Sequence, residues 1–184
     1  MTRKNLACLF LTALIISIGA TADCGEKIWL DPANLELPTM GSTGKMTVRI
    51  AGVTEVAGVE LYITYNPHVV RVVSTPTPGV CPNPEIKIWN DFDNDKGLVR
   101  YAVSCLRGMV CDSAAKPNQD TLTIEFERVG AGDANIKFSL SKEDAGISIL
   151  AGNGVAIFDN TTPANWQHAT VSTATGTARK EATN

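Results

Sequence analysis

Asp91, Asp93 and Asp95 stand at alternate positions of the run Asp91-Phe92-Asp93-Asn94-Asp95-Lys96-Gly97. Carboxylates at such spacing can converge on calcium. An EF-hand, however, needs its Gly one place earlier and an acid at the twelfth position, where Ala102 stands. Asn, Asp and Gly are also the ordinary residues of a hairpin, and a turn is the preferred reading. Glu125 and Glu127 imitate an acid pair, but on a strand they share the solvent-facing parity. His68 lies beside a Pro and His168 near the chain end, and both read as surface loop residues. Neither a G-x-S-x-G nor an H-E-x-x-H motif is present, so the residues supply no nucleophile–base or metalloprotease constellation.

A second chemistry is recognition. Trp29, Trp89 and Trp166 could form a flat sugar-binding platform, although single tryptophans in three separate elements more often pack in a core or at an edge. Glu60, Tyr62 and Thr64 alternate with Val59, Leu61, Ile63 and Tyr65. A period of two places these sets on opposite faces of a sheet. One face is core; the other carries an acid, a tyrosine and a threonine, a surface suited to a partner.

The elements that must position these residues are strands. Ile28 and Leu30 alternate before Asp31-Pro32, and Met46, Val48 and Ile50 alternate with Lys45, Thr47 and Arg49. Leu122, Ile124 and Phe126 repeat the pattern, followed by Ile136, Phe138 and Leu140, then Ile147 and Ile149, then Val155 and Ile157. Gly, Pro, Asn and Asp punctuate them at 40–44, 75–79, 94–97, 130–133 and 152–154, which is turn chemistry. Many short strands without a helical stretch predict an antiparallel sandwich.

The first 22 residues are expected to be a signal peptide. Arg3 and Lys4 precede an apolar run from Leu6 to Gly19, and Ala20-Thr21-Ala22 is a small-x-small cleavage site. That run is short for a membrane span of about 20 residues, so an uncleaved anchor is the lesser reading. Lipidation at Cys24 is disfavoured by Asp23 just before it. The expected domain then covers 23–171, and 172–184 is read as a flexible Thr- and Ala-rich tail. Without Arg3 and Lys4 the chain keeps 14 basic and 19 acidic residues, a net charge of −5. No basic stripe is present, which argues against nucleic acid, and no later apolar stretch crosses a membrane.

Cys24, Cys81, Cys105 and Cys111 remain after the signal. In an exported domain an even count reads as disulfides, with three connectivities open. A short Cys105–Cys111 loop, contributing about 2 kcal/mol by chain entropy, would leave Cys24 to pin the N-terminus to Cys81. No spacing is C-x-x-C and no histidine is near, so a metal site is not expected. Asn160-Thr161-Thr162 is the one glycosylation sequon.

Taken in order, the chain resembles a cohesin domain, the receptor module of cellulosome scaffolds and related surface proteins. The pieces are a strand ending Asp31-Pro32, Gly44-Lys45-Met46-Thr47-Val48-Arg49-Ile50, and Val56 to Pro67 with its Tyr65-Asn66-Pro67 ending. Val69 to Ser74, Asp95 to Ala102 and Asp120 to Phe126 follow. The resemblance covers Ile28 to Val171. It implies a nine-stranded jelly-roll sandwich, no catalysis, no cofactor of its own, and binding of a dockerin, whose EF-hand-like loops would hold the calcium. It also implies a secreted or cell-surface monomer that assembles polysaccharide-acting or other exported proteins.

Residue by residue, the resemblance gives Glu60 as an acidic contact and places Leu98, Arg100 and Ala102, on the second contact strand, on the matching face. Tyr62 and Thr64 join by parity, with Tyr62 the expected anchor. Two departures stand out: Gly58, where some cohesins carry a polar contact, and a Cys105–Cys111 insert, expected as a loop that reshapes the face. A carbohydrate-binding module, needing coplanar exposed aromatics, and a structural or adhesive surface module are the alternatives.

Overall fold

The computed structural model describes residues 27–53, 56–79, 86–109, 119–152, 155–159 and 161–173. The first half holds β1 (Lys27–Asp31), β2 (Asn34–Glu36), β3 (Thr43–Ala51), β4 (Val56–Thr64), β5 (Val70–Val72), β6 (Thr77–Pro78), β7 (Ile86–Asp93) and β8 (Leu98–Met109). The second holds β9 (Gln119–Arg128), β10 (Ala134–Phe138), β11 (Leu140–Ser141), β12 (Gly146–Ile147), β13 (Ile149–Gly152), β14 (Val155–Phe158), β15 (Trp166–Gln167) and β16 (Ala169–Ser172). A single 3-10 turn spans Pro163–Asn165.

Two sheets form the sandwich. Sheet one runs β15–β1–β3–β9, with β5 and β6 both on the far edge of β9. Sheet two runs β7–β8–β4, and the other edge of β4 is shared by β13, at Gly58–Glu60, and β10, at Ile63–Thr64. β14 extends from β13, and β16 and β2 extend from β10. The all-β sandwich expected from periodicity forms, with the jelly-roll architecture that the resemblance implies. Its ladders fall into sixteen segments among the described residues because several edges are shared. Two short pairings, β1 with β15 and β2 with β16, are parallel.

The alternation explains the core. Met46, Val48 and Ile50 of β3 and Leu122, Ile124 and Phe126 of β9 turn inward from sheet one. Val59, Leu61, Ile63 and Tyr65 answer from sheet two, each no more than 6% exposed. Each such side chain contributes roughly 1.5–3 kcal/mol by leaving water. Tyr65 meets Phe126 edge-on at 5.6 Å, joining the two sheets where β4 ends.

The β7–β8 turn fixes the relation of the sheets to the site. Asn94 Oδ1 accepts from Val72 N–H at 2.8 Å and from the Tyr65 hydroxyl at 2.7 Å, while its Nδ2 donates to the Val72 carbonyl. A sheet-two turn is thereby tied to a sheet-one strand. Gly97 closes it with φ +64, and a Cβ there would lie 2.1 Å from the Tyr65 carbonyl oxygen. Only glycine meets both conditions without strain.

Candidate functional site

The outer face of sheet two collects the residues expected to bind. Across β4, β8 and β7 the rows are Thr64–Leu98–Asp93, Tyr62–Arg100–Asp91 and Glu60–Ala102–Trp89. Ile149 of β13 stands beside Glu60 on the other side. The six residues named from sequence thus share one surface, because β4 and β8 are antiparallel neighbours in a register that keeps their outward parities opposite each other.

Arg100 is held rather than free. Its Nε and Nη2 donate to the two Asp91 carboxylate oxygens at 2.8 and 2.9 Å, a bidentate pair with fixed geometry. The Asp91 hydrogen bonds raise the guanidinium pKa. Its carbon lies 4.9 Å from the Trp89 ring centroid, so guanidinium and indole form one rigid plate. Both charges are partly exposed, so the ion pair itself contributes about 1 kcal/mol or less.

Tyr62 is also positioned. Its hydroxyl donates to Glu60 Oε1 at 2.7 Å, and that bond, with burial and the Glu60 charge, raises the phenol pKa against the lowering influence of Arg100. On this edge of β4 the Tyr62 carbonyl accepts from Ser139 N–H at 2.7 Å, but the Tyr62 N–H loses a backbone partner where residues 140–147 leave as the β11–β12 hairpin. The fully buried Ser148 hydroxyl fills the gap, accepting from Tyr62 N–H at 3.0 Å and donating to the Tyr62 carbonyl at 3.1 Å. At the hairpin base Gly146 has φ +143, and a Cβ on it would come within 2.7 Å of the Tyr62 ring. The ring rests on bare backbone.

Ala102 is only 2% exposed, so it is a floor and not a protruding contact. It underlies a shallow, mainly apolar depression of about 150 Å³ lined by Gly58, Glu60, Ile88, Ala102, Ile149 and Ala151. Ile88 arrives there through a register shift between Lys87 and Trp89, a bulge that sets an extra residue into β7. Thr64 is at the far end, its hydroxyl 3.4 Å from the Lys137 carbonyl. Sequence reasoning missed Ile88, Trp89, Asp91, Ile149 and Ala151 as members of this face. The apolar run Ile86-Lys87-Ile88-Trp89 was the available signal, but a bulge leaves no periodic trace.

Other expectations resolve as follows. Asp93 Oδ1 accepts from the N–H groups of Asp95 and Lys96, and Lys96 Nζ lies 3.1 Å from Asp93 Oδ2. These bonds, that of the Lys96 N–H first, lower the Asp93 pKa. The run forms the β7–β8 hairpin turn, and no cluster of three metal-ligating side chains occurs among the described residues. The tryptophans make no common platform. Trp166 is buried against Phe138 and donates to the Asp159 carbonyl, Trp29 sits on sheet one beneath the Lys27 ammonium, and Trp89 belongs to sheet two. Glu127 pairs with Arg71 on sheet one, away from this face. His68 is an exposed turn residue and His168 an exposed residue between β15 and β16; the His168 Nδ1 accepts from Phe138 N–H, and partial desolvation lowers its pKa.

The Cys105–Cys111 insert is not all loop: β8 continues to Met109, which pairs with Val56. The Cys105 side chain, Cys24, Cys81, Cys111, Asn160, residues 1–22 and the tail from 174 lie outside the described residues. Ser172 and Thr173, assigned to the tail from sequence, are described. Ser172 closes β16, and Thr173 N–H donates to Asp133.

This fold defines a class. The chain resembles a type II cohesin domain from the cellulosome of Acetivibrio cellulolyticus, with TM-score 0.58 and 18% identity over 79% of this chain and 94% of that one. A non-cellulosomal cohesin from the archaeon Archaeoglobus fulgidus gives TM-score 0.58 and 12% identity over 80% and 90%. A chain of a type I cohesin–dockerin complex from Clostridium thermocellum gives 0.55 and 15% over 80% and 99%. The architecture is cohesin-like. No protein-family model and no curated protein matches the sequence.

Proposed function

We propose that this chain is a secreted, non-catalytic recognition module that receives a calcium-loaded dockerin-type partner on the outer face of sheet two. One observation carries the reading: on a cohesin-like sandwich, Glu60, Tyr62, Arg100 and Trp89 converge on one surface beside an apolar depression. A pre-positioned tyrosine and an arginine–tryptophan plate are the side chains that anchor protein interfaces. The interface would bury about 1,600 Å² in total. Calcium would belong to the partner, and the module would gather exported, polysaccharide-acting or other proteins at the cell surface.

Calorimetric titration of dockerin modules from the source organism, with and without a chelator, tests this. Calcium-dependent heat that is lost in Tyr62→Ala supports the proposal; silence from every module, or binding indifferent to Tyr62→Ala, refutes it. The three tryptophans lie on separate surfaces, which favours a protein partner over the carbohydrate-binding alternative.

A further inference from the structure

Two gaps in the ladders of sheet two are filled by side chains, and a proton affects them differently. At Tyr62 the filler is the Ser148 hydroxyl, which accepts and donates at any pH. The second gap lies on the opposite edge of β10, where the pairing with β16 ends at Ile136–Ala169. The next N–H on that edge, Phe138, donates to His168 Nδ1 at 3.3 Å. An imidazole nitrogen accepts only while it carries no proton. Protonated, it would turn its own N–H against that of Phe138.

Phe138 adjoins the base of the β11–β12 hairpin. Ser139 N–H donates to the Tyr62 carbonyl at 2.7 Å, and the Ser139 carbonyl accepts from Ser148 N–H at 2.8 Å. The Ser139 hydroxyl donates to the Gly146 carbonyl at 2.6 Å, and Gly146 is the backbone on which the Tyr62 ring rests. All three bonds belong to Ser139, so the contact that orients Phe138 also sets how the hairpin meets Tyr62.

The surroundings of His168 favour its neutral form. Phe138 packs against the ring, with centroids 6.1 Å apart. Lys137 of β10 is the charged group that acts on it among the described residues. Trp166, Gln167, Ala169 and Thr170, its neighbours on β15 and β16, carry no charge, nor does Thr64, which stands opposite Lys137 on β4. Partial desolvation first, and Lys137 second, hold the imidazole below its usual 6.5. Closure by the neutral ring is therefore complete above about 6.5 and is lost as the pH falls through the lowered value.

We propose that His168 is an acid-sensitive latch on the β11–β12 hairpin: in mildly acidic surroundings its proton frees the Phe138 N–H, the hairpin base loosens, and Tyr62 loses its fixed position. His168 is then a positioning residue, and the receptor face releases its partner in acid. Only that last consequence rests on the receptor reading.

The test is amide hydrogen exchange by NMR on the native chain, His168→Asn and His168→Ala at about pH 5 and about pH 7. Each rate is divided by that of an unstructured peptide at the same pH. Asn offers an acceptor oxygen that stays unprotonated in this range, and Ala offers none. His68 is retained in both variants, so it does not account for a difference between them. In the native chain the protection of Phe138 and Tyr62 should fall about fivefold on acidification, the effect of one hydrogen bond, while Ile124 on sheet one is unchanged. His168→Asn should keep its protection at both pH values, and His168→Ala should show the acid pattern at both. Protection of Tyr62 that ignores pH, or that falls equally in His168→Asn, would overturn the inference. A calcium-loaded dockerin module should likewise lose about fivefold in affinity for the native chain relative to His168→Asn on acidification. A native-to-variant ratio equal at both pH values would sink the inference alone. Silence from every module while the latch titrates as described would sink the receptor reading alone.

Discussion

The two outer faces of the sandwich obey the same period-two grammar and come out chemically different. On sheet one the polar groups answer one another. Arg49 reaches Asp31 and Asp120 at 3.0 and 3.1 Å, Arg71 grips Glu127, Thr47 bonds Thr123 across the strands, and Lys45 stands opposite Glu125. On sheet two the Asp91–Arg100 pair is closed, but Glu60 forms no ion pair with a described residue and an apolar depression lies beside it. Of the exposed large apolar residues described, Ile86, Ile88 and Trp89 all belong to β7 on this sheet. One face is finished by its own side chains. The other is left open, which is what a docking surface requires.

The largest predicted effect strikes both faces together, because they share one core. Ile124→Ala removes a completely buried side chain and should cost about 3 kcal/mol in urea unfolding, degrading either face equally. Gly97→Ala should cost about 2 kcal/mol in the same assay, since it forces a left-handed φ against the Tyr65 carbonyl. Trp89→Ala and Trp29→Ala then separate the faces. The first should weaken partner binding by about 2 kcal/mol, roughly thirtyfold, with little loss of stability; the second should leave titrations unchanged.

A smaller effect concerns the interior they share. Burial pushes the phenols of Tyr65 and Tyr101 up to about 12. A raised folded-state pKa means that the unfolded chain ionises first. Stability should therefore hold below about pH 10 and fall as pH rises towards 12. The Tyr101 hydroxyl is buried without a hydrogen-bond partner, so Tyr101→Phe should be neutral or stabilising by about 1 kcal/mol at pH 7 and should blunt the alkaline loss. Equilibrium unfolding across that pH range reads both.

The sandwich was legible because β3, β4 and β9 alternate strictly, and strict alternation has one physical meaning on a half-buried sheet. Parity alone also placed Glu60, Tyr62 and Thr64 together. What stayed hidden depends on contacts distant in sequence. The bulge that turns Ile88 outward is a register event between two strands, and the Ser148 bridge joins Tyr62 to a residue 86 positions away. Asn94, which read as a turn former, is also the clasp between the sheets. Ala102 had the right parity but too little side chain to protrude, so it became the floor of a depression.

The central claim is that sheet two, not sheet one, is the receptor face. Calorimetry of a calcium-loaded dockerin module against the native chain, Tyr62→Ala and Trp29→Ala decides it most directly. The account predicts binding that weakens about thirtyfold with Tyr62→Ala, a loss of about 2 kcal/mol, and is untouched by Trp29→Ala. Binding abolished by Trp29→Ala and indifferent to Tyr62→Ala would contradict it.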